Sequence, residues 1–196
     1  MKQMKRITLI IFALLLPIVV AAQTPSTSQP APTISSVLET QVGILEHDFV
    51  PAAEAMPADK FNFAPSPSLG EFKDSRTFAQ QVSHVATANY QFAATILGEK
   101  PPVNTEGPNE NGPASLKTKD DIVKYLKDSF AYVHKAIATI TPENALEPVT
   151  VSFGKSTRLG LASMAAWHGF DHYGQMVIYL RMNGIVPPAS RPQPKK

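Results

Sequence analysis

Four stretches of the chain repeat apolar residues at helical spacing, and nearly all the prolines lie between or outside them. They fall at about residues 35–56, 74–97, 118–140 and 158–183, and each is predicted to be a helix. At about 100° per residue, the second gathers Phe78, Val82, Val85, Phe92 and Ile96 on one face. The third gathers Ile122, Tyr125, Leu126, Val133 and Ile137. In the fourth, Leu161, Met164, Ala165, Gln175, Tyr179 and Met182 share a stripe.

The ends of these stretches carry helix signals. Asp74 or Ser75 is expected to cap the second and Gly98 to stop it. Thr118 is expected to cap the third, with Asp120 and Asp121 near its positive end, and Gly184 follows the fourth. Pro51 is expected to kink or break the first, because proline removes a backbone donor. The joints are marked by Pro57, Pro65 and Pro67, then by Pro101, Pro102, Pro108 and Pro113, then by Pro142 and Pro148. Residues 149–153 have a β-like composition but no visible partner, and read as an extended connection. Four amphipathic stripes that each need a partner, in a chain of 196 residues, predict one all-α domain, a four-helix bundle over 35–188.

Composition changes this picture mainly at the ends. Lys2, Lys5 and Arg6 precede an apolar run over 7–20, and Val20-Ala21-Ala22 offers a small-residue cleavage site. That order reads as a secretory signal peptide over 1–22, and a periplasmic or secreted protein is expected. The run is shorter than the ~20 residues a spanning helix needs, so no stable membrane span is expected after cleavage. Residues 23–34 read as a disordered Pro/Ser/Thr-rich leader and 189–196 as a polar tail. Removing the signal peptide takes three of the 18 basic residues and leaves 15 against 16 acidic, a net charge of −1. A near-neutral chain without a basic stripe is a poor partner for nucleic acid. There is no cysteine, which excludes disulfides, a cysteine-based zinc site, a cysteine nucleophile and a lipoprotein anchor.

The candidate chemistry lies in Trp167-His168-Gly169-Phe170-Asp171-His172-Tyr173-Gly174-Gln175. Spacing puts His168 and His172 one turn apart on one helix face, in the middle of the apolar stripe, where two nitrogens can reach one ion. Such pairs also occur as hydrogen-bonded core residues without metal. Gly169 and Gly174 each weaken a helix by ~1 kcal/mol relative to alanine, which points to a packing or access reason. A third ligand must come from another helix, and His47, His84 and His134 are the candidates. His84 sits at the edge of the second apolar face, with Gln81, Ala88 and Gln91 nearby; His134 reads as a surface residue, and so does His47. The stripe of His168 carries no Arg or Lys to clamp an anionic substrate, and Asp171 falls off the ligand face.

Several segments resemble the DinB-like (YfiT-like) superfamily. They are Met56-Pro57-Ala58-Asp59-Lys60-Phe61-Asn62-Phe63-Ala64-Pro65, Phe78-Ala79-Gln80-Gln81-Val82-Ser83-His84-Val85-Ala86, the His168-x-x-x-His172-x-Gly174-Gln175 motif, and the closing Arg181-Met182-Asn183-Gly184-Ile185-Val186-Pro187-Pro188. The resemblance implies an up-down-down-up bundle and a divalent nickel or zinc ion held by His84, His168 and His172, with positions open to water. Known activities in the superfamily include thiol-dependent transferases and isomerases. Two functions therefore stand for this chain: a metal-dependent hydrolase or transferase of unknown small-molecule substrate, and a non-catalytic bundle that binds metal or a small ligand in the cell envelope. A core of hydrogen-bonded histidines without metal is the third. A homodimer is the assembly to be tested.

Overall fold

The computed structural model describes residues 31–192. The expected signal peptide over 1–22, most of the leader and the end of the tail lie outside the described residues. Four helices dominate: α1 Ile34–Ala55, α2 Phe78–Leu97, α3 Lys119–Ile137 and α4 Arg158–Met182. Among the described residues no helix is long and apolar enough to cross a membrane.

Side-chain pairs fix the direction of each helix. Thr87 meets Tyr125, Asn89 meets Ser129 and Glu99 meets Tyr132, so α2 and α3 run parallel. Phe49 faces Tyr173, and a Cβ on Gly169 would strike Leu45, so α1 and α4 are parallel too. Glu39 pairs with His134 and Glu54 with Lys127, which makes α1 antiparallel to α3. Arg158 donates to the Ile96 carbonyl while Tyr179 donates to that of Arg76, which makes α2 antiparallel to α4. The result is the up-down-down-up bundle. Parallel neighbours cannot be joined by a tight turn, so the chain from α2 must travel back along the bundle before α3 starts. That returning segment, 98–118, crosses the site described below.

Three boundaries differ from the sequence expectation. Pro51 does not break α1, which continues to Ala55. The helix bond lost at Pro51 is the one to the carbonyl of His47, an exposed residue, where water can substitute. Neither Asp74 nor Ser75 caps α2; Thr77 does, in a reciprocal box with Gln80. The next two amides are held by the preceding loop, Phe78 N–H by the Phe63 carbonyl and Ala79 N–H by that of Phe61. Helix α3 ends at Ile137, and the chain tightens into short-range turns up to Ile140.

The β-like segment has a partner after all. Pro148–Val151 pairs antiparallel with Gly154–Thr157, Val151 opposite Gly154, in a hairpin of strands β1 and β2. The polar Gly154-Lys155-Ser156-Thr157 hid the second strand from a hydrophobicity reading. Phe153 stands at the tip, and Thr157 caps α4 directly.

The core runs along all four helices, with Leu45, Phe49, Phe78, Leu126, Phe130, Leu161 and Met176 fully buried. Helix α2 is buried almost all round rather than along one stripe, because α3, α4, the crossover and the hairpin surround it. Its polar Gln81, Ser83, His84, Thr87 and Asn89 therefore lie inside the protein.

Candidate metal centre

His84 of α2 and His168 and His172 of α4 meet where the two helices cross. Their ring centroids lie 4.6–5.1 Å apart, and one ligand atom from each falls within 4.8 Å of the others. His84 and His172 are buried and His168 is half-buried. The sequence pairing of His168 with His172 thus holds, and of the three candidate partners only His84 joins them. His47 is an exposed neighbour of Asp48.

The hydrogen-bond partners set the tautomers of two rings. His84 Nδ1–H donates to the Glu110 carbonyl at 3.0 Å, and His172 Nδ1–H donates to Gln81 Oε1. Carbonyl and amide oxygens only accept, so both rings keep their protons on Nδ1 and present Nε2 lone pairs to the shared space. The Gln81 amide is itself oriented, since its Nε2 donates to Gln175 Oε1 at 2.8 Å. His84 Nε2 lies 3.2 Å from His168 Nε2. Two nitrogens on one tetrahedral zinc at ~2.0–2.1 Å stand roughly 3.3 Å apart, so this spacing fits a shared ion. His168 Nδ1 is buried without a partner.

Burial is the largest force on each imidazole. It lowers the pKa of all three, helped by their mutual repulsion at His168 and His172 and by the Arg76 charge at every ring. His168 falls to about 4 and His172 to about 3. Neutral imidazoles near neutral pH are what a metal ion requires of its ligands.

Sequence reading missed Arg76 and Glu110 as parts of this site, and placed Gln81 near His84 without giving it a role. No Arg or Lys stands on the stripe of His168, but Arg76, just ahead of α2, brings a positive charge to it from another element. Its guanidinium is pinned by Asn111 Oδ1 at 2.9 Å and by the Asn109 carbonyl at 3.0 Å. Asn109 and Glu110 are held at φ 55° and 58°, in the left-handed region, which turns the Glu110 carbonyl to His84. Only Gln81 carried a sequence signal, a polar residue one turn from His84 on the apolar side of its helix. Asp171 reaches Gln175 at 3.4 Å and lies off the rings, as its helical angle required. On the predicted α4 stripe Leu161, Ala165 and Tyr179 are buried, while Gln175 and Met182 are exposed.

The two glycines separate. A Cβ on Gly169 would lie 2.2 Å from Leu45 Cδ2, so α1 and α4 approach closely there. Nothing lies within 4 Å of a Cβ on Gly174, and nothing in the structure explains that residue. His134 is a further correction. It is not a solvated surface group but bridges α1, with Glu39 at Nδ1 and Glu46 at Nε2.

An up-down-down-up bundle with three converging imidazoles from its second and fourth helices defines a class of protein: helical bundles whose histidine-only site fits a metal ion. The chain belongs to the DinB superfamily, whose family profile matches residues 42–176. Among solved structures it is similar to a DinB-like protein, YjoA, from Bacillus subtilis, with 19% identity and a TM-score of 0.54, over 82% of this chain and 99% of that one. At that identity the likeness is one of fold. No curated protein matches the sequence.

Proposed function

We propose that His84, His168 and His172 hold one divalent ion, zinc or nickel, and that the protein is an exported metal-dependent hydrolase or transferase acting on a small molecule. The observation that carries this reading is the pair of fixed tautomers. Glu110 and Gln81 hold the Nδ1 protons of His84 and His172, so two lone pairs face one centre beside His168. Membership of the DinB superfamily supports a metal at this place. Bound among three neutral ligands, the ion would act as a Lewis acid and lower the pKa of water. The protein's own groups would do the rest. Gln81 and the Glu110 carbonyl orient the rings, and the crossover that carries Asn109, Glu110 and Asn111 shields them from bulk water. Two carboxylates act on the rings through their charge, Glu110 on His84 and Asp171 on His168. The choice between zinc and nickel is not made by the ligand set, since both accept imidazole.

One observation favours the non-catalytic reading. Asp171, the acid adjacent to the ligands in sequence, accepts from Gln175 at 3.4 Å and reaches His168 through its charge alone. A hydrolysis screen on untagged protein, with metal content measured in parallel by mass spectrometry, separates the two. Turnover that follows metal content carries the enzyme; full metal content without turnover carries the binding protein. Full metal occupancy in His168→Ala or His172→Ala would end the ion reading altogether. Export rests on the order of basic, apolar and small residues at the N-terminus. N-terminal sequencing of the native protein should find a start near Gln23, and an intact Met1 in the cytosol would refute it.

A further inference from the structure

A cleft of about 290 Å³ opens beside the histidines, at the small end of the ~300–1,000 Å³ usual for small-molecule sites. His84 and His168 lie on one side of it. The remaining walls are largely apolar: Phe92 from α2, Met164 and Trp167 from α4, and Phe153 from the hairpin tip. Trp167 is 57% exposed and Phe153 is 61% exposed, so the two aromatic side chains at the rim are largely uncovered. Phe153 stands edge-on to Phe92, ring centroids 6.3 Å apart at 83°. The register of the hairpin, Val151 opposite Gly154, is what carries Phe153 to this position.

The charge of the cleft narrows its occupant. Among the described residues Glu110 is the one charged residue along it, and no lysine or arginine lines it. Away from the metal side, an anionic group would meet the acidic Glu110 and no described lysine or arginine, whereas an apolar ring would cover Trp167 and Phe153 and gain from leaving water. The metal side of the cleft already carries the ion's positive charge in the reading above, which disfavours a cationic occupant.

We infer that this cleft is an apolar subsite that takes an uncharged, aryl-bearing group of the substrate, and that Phe153 and Trp167 set that specificity. The inference rests on the ion reading, because the ion anchors the polar end of the same molecule. Two probes separate the parts. Imidazole and 4-phenylimidazole offer the same ligating ring and differ by one phenyl group. Calorimetric titration of the zinc-loaded protein should show 4-phenylimidazole binding tighter by on the order of 10-fold or more. In Phe153→Ala and in Trp167→Ala the ratio should fall to within about 3-fold, since each removes one wall of the cleft. Both side chains are exposed, and circular dichroism checks that the variants keep their helices. Trp167 is the only tryptophan in the chain, so its fluorescence should move to shorter wavelength with 4-phenylimidazole. Equal affinities in the wild-type protein, or an undiminished ratio in both variants, would overturn the subsite and leave the ion reading standing. Binding of neither probe by the zinc-loaded protein would also overturn the subsite, while the metal content of His168→Ala and His172→Ala decides the ion reading separately.

Discussion

Gln81 and His172, 91 positions apart in the chain, are joined by a hydrogen bond of 2.5 Å from the imidazole Nδ1–H to the amide oxygen. Gln175 holds the other end of that amide at 2.8 Å, so an α4 residue fixes an α2 residue that in turn fixes an α4 histidine. A ring oriented this way has its Nε2 lone pair committed to one direction before any ion arrives.

Gln81→Ala should therefore weaken metal binding without removing a ligand. The expected loss is on the order of 10–100-fold in affinity, the usual cost of losing such a supporting hydrogen bond. Competition with a chromophoric chelator measures it. An unchanged affinity would mean that packing alone orients His172.

Chelation should remove the ion and leave the fold. The core of Leu45, Phe49, Phe78, Leu126, Phe130, Leu161 and Met176 is continuous without it. Circular dichroism after dialysis against chelator should keep its helical signal, while the melting temperature drops by an amount that grows with the metal concentration it is compared against. Loss of helix on chelation would show that the bundle depends on its ion.

His134→Ala should keep full metal content but lose stability, by about 1 kcal/mol for a partly buried ion pair. Burial alone would lower the pKa of His134, but the carboxylates of Glu46 and Glu39 outweigh it and raise the value above 6.5. A raised pKa in the folded state stabilises fully below the unfolded value of 6.5 and fades as pH rises through the folded value. Urea denaturation from pH 6 upward should thus show wild type and variant converging at alkaline pH. A constant gap across that range would assign the effect to packing instead of charge.

Gly169→Ala should destabilise despite the better helix propensity of alanine. The new Cβ would meet Leu45 Cδ2 at 2.2 Å, and the side chain of Leu45 must give way inside a packed seam. Overpacking of this kind costs about 1–3 kcal/mol, more than the ~1 kcal/mol that alanine contributes. Gly174→Ala, with open space around it, should be neutral or stabilising. Denaturant midpoints of the two variants test both signs.

The sequence by itself determined the helices, their approximate ends, the bundle class and the His168/His172 pair, because these depend on local periodicity. An imidazole four residues from another shares its face whatever surrounds it. The cap at Thr77 was equally local, and it lost to Asp74 and Ser75 only because several candidate caps stand close together. Tertiary structure alone decided what comes from far along the chain. The third imidazole was legible as His84 only through the family resemblance, since spacing left His47 and His134 beside it as candidates. The Glu110 carbonyl on His84, the Arg76 charge, the Glu39 and Glu46 partners of His134 and the second strand beside Pro148–Val151 all come from segments whose approach no spacing encodes. The physical reason is the up-down-down-up order. Parallel α2 and α3 force residues 98–118 back across the bundle, and that return lays Asn109, Glu110 and Asn111 over His84 and Arg76.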